Sequence, residues 1–302
     1  GTANFWNVSK VVCDASGNLY VGCNSISNTA GLQRFTKATN TWTNITPSGL
    51  DARVPDLELS STGRFHVICG YYNTAAGSAG YRYTDNPATV SSGTWTSPAT
   101  TFPTQYNVAI ESNGNTLYAL PSNSAWGVPT IYKSTNGGAN WAATGATPAF
   151  TSGQAWYCMA VAIDPNNANN VIVGSLDCYK TTNGGTSWTK ISEWVGTTGQ
   201  YVHADQQIIT WRNNNQVLFG CDGGVHYSAN GGTTITDRNQ GLRIKQFYAV
   251  ANHPTSTNYF LAGAQDNGVH QLNNATIGAS VEVTGGDGAF VHIDEDQPAF
   301  QF

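Results

Sequence analysis

Charge is what this chain of 302 residues has least of, because Asp, Glu, Lys and Arg together make up only 10% of it. Soluble proteins usually carry about a quarter of such residues. The formal net charge of −5 includes no basic stripe that could neutralise phosphates, so the sequence argues against nucleic-acid binding. The polar surface must instead come from Thr, Asn, Ser, Gln and Gly, a common composition for secreted and cell-surface proteins of microbes.

Long apolar runs and closely spaced cysteines are also missing. No run of about eighteen apolar residues occurs, so we expect no membrane span. The 6 cysteines show no Cys-x-x-Cys spacing, and we predict no metal site and no cofactor. Cys158 and Cys178 flank one predicted hairpin and are the best candidates for a disulfide, with free buried thiols as the alternative.

What the chain does contain is an internal repeat. Residues 132–141, 179–188 and 227–235 read YKSTNGGANW, YKTTNGGTSW and YSANGGTTI. These segments begin about 47 residues apart, which is the length of a four-stranded propeller blade. Strand-like runs precede them, turn clusters such as residues 164–170 separate those runs, and no segment has a sustained helical period.

The sequence therefore predicts an all-β fold, a β-propeller of four-stranded antiparallel blades. We expect about seven blades, six of them complete and one partial. The first two are divergent, with strand pairs at 11–13 and 19–21 and at 65–68 and 81–83, and Trp42 and Trp95 fall where later repeats have Trp141 and Trp188. Residues 289–293 are expected to form the innermost strand of the last blade. Residues 1–302 are interpreted as a single propeller domain, a fragment of a longer chain.

The repeated turn has the pattern Ser/Thr-x-Asn-Gly-Gly-x-x-Trp, and its residue types suit a tight hairpin. A short Asn side chain can accept hydrogen bonds from turn N–H groups, the glycines allow positive φ, and the tryptophan covers the hairpin base. We assign a structural role to Ser134, Asn136, Gly138, Trp141, Thr181, Asn183, Gly185, Trp188, Ser228, Asn230 and Gly232. Carboxylates are too few here for a calcium loop, so a structural calcium ion is only a secondary alternative.

This turn resembles the Asp-box, the Ser-x-Asp-x-Gly-x-x-Trp hairpin of sialidases, sortilin-type receptors and related propellers, with Asn in place of Asp. Further motifs follow in a set order at residues 201–206, 220–225, 239–242, 246–248, 264–268 and 285–288. Over roughly residues 130–300 the chain resembles sortilin-like or BNR-repeat propellers of large secreted Bacteroidetes proteins, many of which carry a type IX secretion sorting domain. It is more distantly similar to xyloglucan-cleaving hydrolases. The resemblance implies a secreted or cell-surface protein.

Blade topology predicts where a binding site should lie. In each antiparallel blade, the hairpins between strands one and two and between strands three and four lie on one side, and the other connections lie on the opposite side. The repeated turns join strands three and four. The candidate binding residues precede first or third strands and should share the opposite side: Asp177, His203, Asp205, Asp222, Asp266 and Asp287.

Three interpretations of these acidic residues stay open. Asp205 and Asp287 are the candidates for a catalytic carboxylate pair in glycoside cleavage. Asp205, Asp222 and Asp287 could instead bind a cation. The third interpretation is that each Asp only caps its own glycine-rich turn. His203 is expected beside Asp205.

Other side chains were weighed as surface groups. His226 and His270 are expected on the strand surface. Four tryptophans could stack on sugars if exposed, although packing between blades is the commoner use of such rings: Trp126, Trp156, Trp194 and Trp211.

No residue is identified as catalytic, because the arginine signature of sialidases and the N-terminal signature of xyloglucanases are both missing. The preferred hypothesis is a non-catalytic extracellular module for adhesion, surface assembly or binding of a protein or glycan. A glycoside hydrolase acting on a polysaccharide through the acidic side is the alternative. A third hypothesis is a structural subunit that self-assembles on the cell surface.

Overall fold

A computed structural model describes residues 5, 7–24, 30–195, 199–212, 215–242, 245–273 and 280–302 of the chain. By their internal contacts these residues divide into two compact units. The first unit comprises Gly1–Cys221 and Val225–Asp237, and the second comprises Asp222–Gly224 and Arg238–Phe302. The expectation of a single domain over residues 1–302 stays a prediction.

Strands make up nearly all the regular structure. In chain order they are β1 (Val8–Cys13), β2 (Leu19–Cys23), β3 (Leu32–Thr36), β4 (Thr41–Asn44), β5 (Leu57–Leu59), β6 (Phe65–Cys69), β7 (Gly80–Thr84), β8 (Val108–Asn113), β9 (Thr116–Pro121), β10 (Tyr132–Ser134), β11 (Ala142–Ala143), β12 (Ala160–Asp164), β13 (Asn167–Gly174), β14 (Cys178–Thr181), β15 (Thr189–Lys190), β16 (Gln206–Trp211), β17 (Val217–Cys221), β18 (Gly224–Ser228), β19 (Thr236–Asp237), β20 (Phe247–Asn252), β21 (Phe260–Ala264), β22 (Val269–Leu272) and β23 (Val281–Thr284). Among the described residues, no helix is long and apolar enough to cross a membrane.

Consecutive strands pair antiparallel into separate small sheets, which we call blades one to six in chain order. Blade two (β5–β7) has three strands, and the other five sheets, β1–β4, β8–β11, β12–β15, β16–β19 and β20–β23, have four each. This is the blade topology of a β-propeller, and the predicted fold class is confirmed. In the described part of the chain, blade two lacks the fourth strand that a complete blade has. Turns at Asn86 and Ser91 follow β7, and only a bridge between Tyr83 and Thr96 forms where the fourth strand would pair.

Apolar side chains fill the space between successive blades of the first unit. The middle strand β6 is buried along its whole length, because neighbouring blades cover both of its faces. Tyr20, Leu57 and Phe65 pack together with other side chains of blades one and two, and Ile172 packs with Phe219 of the following blade. Each fully buried side chain of this size contributes about 1.5–3 kcal/mol. Burial between blades therefore holds these short strands together.

The predicted disulfide between Cys158 and Cys178 does not form. Both cysteines are buried and free. Cys178 of β14 pairs with Gly174 of β13, which in turn pairs with Ala160 of β12. Cys178 is thus two strand spacings, about 10 Å, from the strand that Cys158 precedes, whereas a disulfide needs Cα atoms within about 7 Å. The prediction was wrong because a whole strand separates the two positions.

The strand expected at residues 289–293 is reduced to one bridge in the second unit. Ile293 pairs with Gln301, and His292 and Phe302 exchange two backbone hydrogen bonds of 2.9 and 3.0 Å. Gly288, just before this segment, pairs instead with the end of β21, because its N–H donates to Ala264 O (2.9 Å). Antiparallel pairing in this segment therefore begins at His292 and not at residue 289, where the apolar pattern begins.

Candidate functional site

Three hairpins on one side of the first unit share one hydrogen-bond arrangement, and we call them the repeat turns. In the first, the Ser134 hydroxyl donates to Asn136 Oδ1 (3.0 Å) and accepts the Gly138 N–H (2.9 Å). Asn136 Oδ1 also accepts the Asn140 N–H (2.9 Å). The same three bonds recur with Thr181, Asn183, Gly185 and Ser187, and again with Ser228, Asn230, Gly232 and Thr234. Short polar side chains thus satisfy the turn's backbone donors.

The repeat turns also join neighbouring blades. Arg64 of blade two donates to Gly137 O (2.9 Å), and Lys180 of blade four donates to Gly231 O (2.7 Å). The Trp188 indole N–H donates to Ala146 O (3.1 Å), whereas that of Trp141 bonds within its own turn to Gly138 O (3.1 Å). These contacts give the side that carries the repeat turns, the turn side, a role in holding blades together.

The acidic candidates of the first unit make local contacts. Asp177 Oδ2 lies 2.9 Å from Lys190 Nζ, and Asp177 Oδ1 accepts the Trp194 N–H (3.2 Å). Asp205 has a positive φ of 64°, and its Oδ1 accepts the Cys158 thiol (3.1 Å). His203 Nδ1 lies 3.2 Å from Ala204 O. The bonds of Asp177 hold the loop between β13 and β14 to β15 and to the segment that follows it. The bond of Asp205 holds the loop before β16 to the segment before β12.

The acidic candidates of the second unit lie in glycine-rich turns. Asp287 Oδ1 accepts the N–H of Asp266 (3.0 Å), and the backbone oxygen of Asp222 accepts a bond from the Asn267 amide (3.1 Å). Across the part of the chain that the structure describes, no group of three or more His, Cys, Asp or Glu side chains is arranged to hold a metal ion.

Two histidines expected at the surface are buried. His226 is only 3% exposed, and both of its ring nitrogens lack a hydrogen-bond partner. Burial lowers its pKa, because a desolvated imidazole resists protonation. His270 is 5% exposed, with Nδ1 2.9 Å from the Ser280 hydroxyl and Nε2 2.6 Å from Asn267 O. The prediction was wrong because the strand that carries each histidine is covered on that face.

Aromatic side chains gather on the opposite side of the first unit, which we call the loop side. They come from the loop between β6 and β7, the loop before β8, the loop between β9 and β10 and the loop before β12: Tyr71, Tyr72, Tyr106, Trp126, Trp156 and Tyr157. We call these six side chains the aromatic platform. The Trp126 ring lies 5.5 Å from that of Tyr72 and 5.4 Å from that of Tyr106, between ring centroids. Trp156 and Tyr157 lie 5.4 Å apart.

Three side chains of the platform are exposed and the other three are half-buried. Tyr72 is 57% exposed and Trp156 is 49% exposed. Tyr71 connects the two groups of rings, because its ring lies 6.1 Å from Trp126 and its hydroxyl donates to Trp156 O (3.1 Å). Sequence reasoning found Trp126 and Trp156 but missed the tyrosines. The available signal was the pair of adjacent aromatics at each of two positions, Tyr71-Tyr72 and Trp156-Tyr157.

A buried polar framework supports the platform. The Thr74 hydroxyl, beneath the Tyr71 loop, accepts bonds from the Tyr71 N–H (2.9 Å) and from Arg53 Nη2 (2.8 Å). Arg53 also forms a two-point ion pair with Asp51 and thereby lowers the pKa of that carboxyl. The Asn107 amide donates to Ala155 O (2.6 Å) and so holds the loop that carries Trp156.

The other two predicted tryptophans lie outside the platform. Trp211 is 8% exposed and packs between blades four and five, with Lys180 Nζ 5.4 Å from its ring centroid. It was a candidate for sugar stacking, which its burial excludes. Its position at the end of β16 turns the ring toward the preceding blade. Trp194 is 44% exposed, in the connection between blades four and five.

A charged cluster that the sequence did not predict lies along the inner strands of the first unit. Lys10 Nζ of β1 lies 3.0 Å from Asp56 Oδ1 and 3.7 Å from Glu58 Oε2 of blade two. Glu58 Oε1 accepts the Ser112 hydroxyl (2.6 Å) from β8. Lys10, Asp56 and Glu111 line a cavity of about 480 Å³, and Tyr157 of the aromatic platform lines it as well. The cavity and the platform are therefore adjacent.

The carboxyl groups of this cluster differ in acidity. Burial and the charge of Glu58 raise the pKa of Glu111 to about 8. Burial raises the pKa of Glu58 too. Burial by itself would lower the pKa of Lys10, but the charges of Asp56, Glu58 and Glu111 outweigh it, so that pKa lies above its usual value. Burial and the neighbouring carboxylate therefore favour the protonated form of Glu111, in the same cluster as the cation of Lys10.

Comparisons with known proteins identify the fold. No protein-family profile and no curated protein sequence matches the chain. A GH74 enzyme of Niastella koreensis superposes with a TM-score of 0.57 at 15% identity, over 97% of this chain and 50% of the enzyme. YCF48 bound to D1 peptide gives a TM-score of 0.52 at 13% identity, over 92% of this chain and 82% of its own. The extracellular domain of BT4673 from B. thetaiotaomicron gives 0.50 at 11% identity, over 96% and 38%.

These structural neighbours are β-propeller proteins, and together with the blade topology they define this chain as a β-propeller. The chain spans half the length of the Niastella enzyme. At these identities the similarity shows the fold alone, so the function has to be argued from the side chains of the loop side.

Proposed function

We propose that the chain is a non-catalytic extracellular β-propeller that binds a glycan on the aromatic platform. The observation that carries this proposal is the cluster of aromatic side chains on the loop side, in which Tyr72 and Trp156 are exposed and Trp126 is half-buried. Clusters of exposed aromatic surface mark binding sites in soluble proteins. Their flat, partly polar rings suit the C–H faces of sugars, because each ring offers a large contact area together with a polar edge.

Extracellular location is part of the proposal. It is supported by the low charge content and the Thr- and Asn-rich surface. The resemblance of the repeat turns to Asp-boxes, with Asn136, Asn183 and Asn230 in place of Asp, further supports kinship with secreted sortilin-like propellers exported by type IX secretion. In this proposal the acidic residues of the loop side, such as Asp177 and Asp205, stabilise loops and do not contact the ligand.

A glycan panel tests the proposed function. The purified chain is applied to immobilised glycans, and the affinity for the best ligand is measured by calorimetry. We expect Trp156→Ala and Trp126→Ala each to weaken binding about tenfold or more, and Trp194→Ala, an exposed tryptophan outside the platform, to change it less than about twofold. A chain that binds no glycan, or that binds equally well after both platform substitutions, would contradict the proposal. Self-assembly, the competing hypothesis, predicts concentration-dependent oligomers in the same samples.

One observation favours a second candidate function, glycoside hydrolysis. Glu111 has a raised pKa and shares a cavity with Asp56 and with the platform residue Tyr157. A carboxyl of raised pKa that shares a cavity with a second carboxyl is the kind of pair that acid-catalysed glycoside cleavage uses. Under this alternative Glu111 is the acid and Asp56 or Glu58 the base, in addition to the sequence candidates Asp205 and Asp287.

Release of reducing sugar from the bound polysaccharide distinguishes binding from hydrolysis. The proposed function predicts no release above background. Release that disappears in Glu111→Gln, with glycan affinity retained, would establish the hydrolase and end the non-catalytic proposal. Release lost instead in Asp205→Ala or Asp287→Ala would move the chemistry to the acidic residues of the connecting loops.

A further inference from the structure

We propose that the ligand of the aromatic platform is an uncharged polysaccharide, bound along its length across two aromatic subsites. The inference rests on the proposed glycan-binding function and names the class of glycan. The first subsite is the Tyr72, Trp126 and Tyr106 group of blades two and three. The second is the Trp156 and Tyr157 pair in the connection between blades three and four.

The charges around the platform point to an uncharged ligand. The ion pair beside the first subsite compensates its own charge, because Arg53 donates to both oxygens of Asp51 and also to the Thr74 hydroxyl. Apart from this ion pair, amide and hydroxyl side chains make the polar contacts named for the platform loops. Asn73 Oδ1 accepts the Tyr106 hydroxyl (3.1 Å), and Asn123 Oδ1 accepts the Gly127 N–H (3.2 Å). A carboxylated sugar would find the nearby cations already paired, Arg53 with Asp51 beside the first subsite and Lys10 with Asp56 and Glu58 in the cavity next to Tyr157. The carboxylates of those pairs are in turn not free to bind an amino sugar.

The ring geometry points to a ligand longer than one sugar. Within the first subsite the Tyr106 ring stands at 89° to that of Trp126, and the Tyr72 ring is tilted 33° from it. In the second subsite Trp156 and Tyr157 are tilted by 45°. The platform is thus a set of separate inclined faces, and one pyranose ring covers only one of them. Tyr71 joins the subsites, since it contacts the Trp126 ring and bonds to the backbone of Trp156.

The backbone holds these faces in place before any ligand arrives. Tyr72, Asn73 and Trp126 have positive φ values of 52°, 60° and 56°. Such a conformation costs about 1–2 kcal/mol per non-glycine residue and persists only where surrounding contacts enforce it. Here Thr74 and Asn123 supply those contacts, since Asn123 O and the Thr74 hydroxyl accept the N–H groups of Trp126 and Tyr71 at 2.9 Å each. Pre-organised rings lower the entropy that binding has to overcome.

Native affinity electrophoresis with defined polymers tests the charge of the ligand. Mixed-linkage β-glucan and galactomannan serve as uncharged probes, polygalacturonate as the anionic probe and chitosan as the cationic probe. We expect at least one uncharged polymer to retard the chain, with no loss in about 0.5 M NaCl, because no screened charge contributes. Preferential, salt-sensitive binding of polygalacturonate or chitosan would overturn this inference and leave glycan binding intact. Failure of every polymer would count against the proposed function itself.

A length series of oligosaccharides from the bound polymer tests the two subsites. Affinity should rise with chain length until both subsites are filled. Trp156→Ala should stop this rise at a shorter length, while Trp126→Ala should lower the affinity of every length by about tenfold. Trp194→Ala is the matched control and should reproduce the parent series. A disaccharide that binds as tightly as the polymer would refute binding across two subsites.

Discussion

The repeat turns of the turn side and the aromatic platform of the loop side both contain backbone with positive φ, but different kinds of residue adopt it. On the turn side the repeat turns place glycines there, including Gly137 at 66° and Gly138 at 80°. On the loop side the same region of conformational space holds Tyr72 and Trp126. Glycine adopts this conformation without steric cost, whereas a bulky side chain does not.

The difference teaches which side is shaped for stability and which for recognition. Side chains and carbonyls of the turn side are used between blades, as in the bonds from Arg64 and Lys180. The loop side contains backbone strain and keeps Tyr72, Trp156 and Tyr157 exposed. Strain of this kind is concentrated at ligand sites, where geometry matters more than local stability. Substitutions on the two sides should therefore separate stability from binding.

The largest expected difference in stability comes from replacing one buried and one exposed tryptophan by alanine. Trp211→Ala removes a buried ring between blades four and five and should lower the free energy of unfolding by about 3–5 kcal/mol. Trp156→Ala removes an exposed ring and should change the free energy of unfolding by no more than about 0.5 kcal/mol, while reducing glycan affinity. Urea denaturation measures both. Equal losses of stability would break the distinction between the two sides.

A smaller effect is expected within the repeat turns. A Cβ at Gly138 collides with the Tyr81 hydroxyl of blade two, whereas one at Gly114 meets nothing within 4 Å, and both glycines have positive φ. Gly114→Ala should therefore cost about 1 kcal/mol from conformation alone, and Gly138→Ala about 1–3 kcal/mol more from crowding. Thermal melts of the two variants make the comparison. If they melt together, the contact between the turn and blade two is not required for stability.

The smallest effect concerns the strain at Trp126. Trp126→Gly should be more stable than Trp126→Ala by up to about 1 kcal/mol, because glycine relieves the positive φ that alanine keeps. Both variants should lose glycan affinity to the same extent, since both lack the ring. Stability and affinity are read from the same preparations. If the glycine variant is the less stable of the two, the positive φ at residue 126 does not strain the backbone, and the prediction is wrong.

The repeats made the fold predictable because they are local. Each one carries its own strands and its own turn chemistry, so YKSTNGGANW could be read as a hairpin without knowing the neighbouring blade. Errors arose where the answer depended on another strand. Cys158 and Cys178 are near in sequence but separated by β13, and His226 and His270 were expected at the surface although both are buried. An alternating pattern does not show which face is covered.

The candidate site was predicted only in outline. Topology identified the loop side as the place for a site, but the acidic residues expected to form it, such as Asp177, make local bonds there. The aromatic platform combines loops of three blades, and no local motif links Tyr72 to Trp126 or Trp156. Lys10 of β1, Asp56 just before β5 and Glu111 of β8 likewise come from three different blades. Each of these residues alone is unremarkable in sequence.

What the sequence by itself determined is the blade: its period, its strands and the turn in which short polar side chains bond to their own backbone. These interactions span a few residues, and so a single segment specifies them. Only the tertiary structure decided which side chains of different blades meet. The burial of Trp211, the cluster around Lys10 and the exposed rings of the platform all depend on how one blade packs against the next, and that packing is set by the sum of contacts between distant segments.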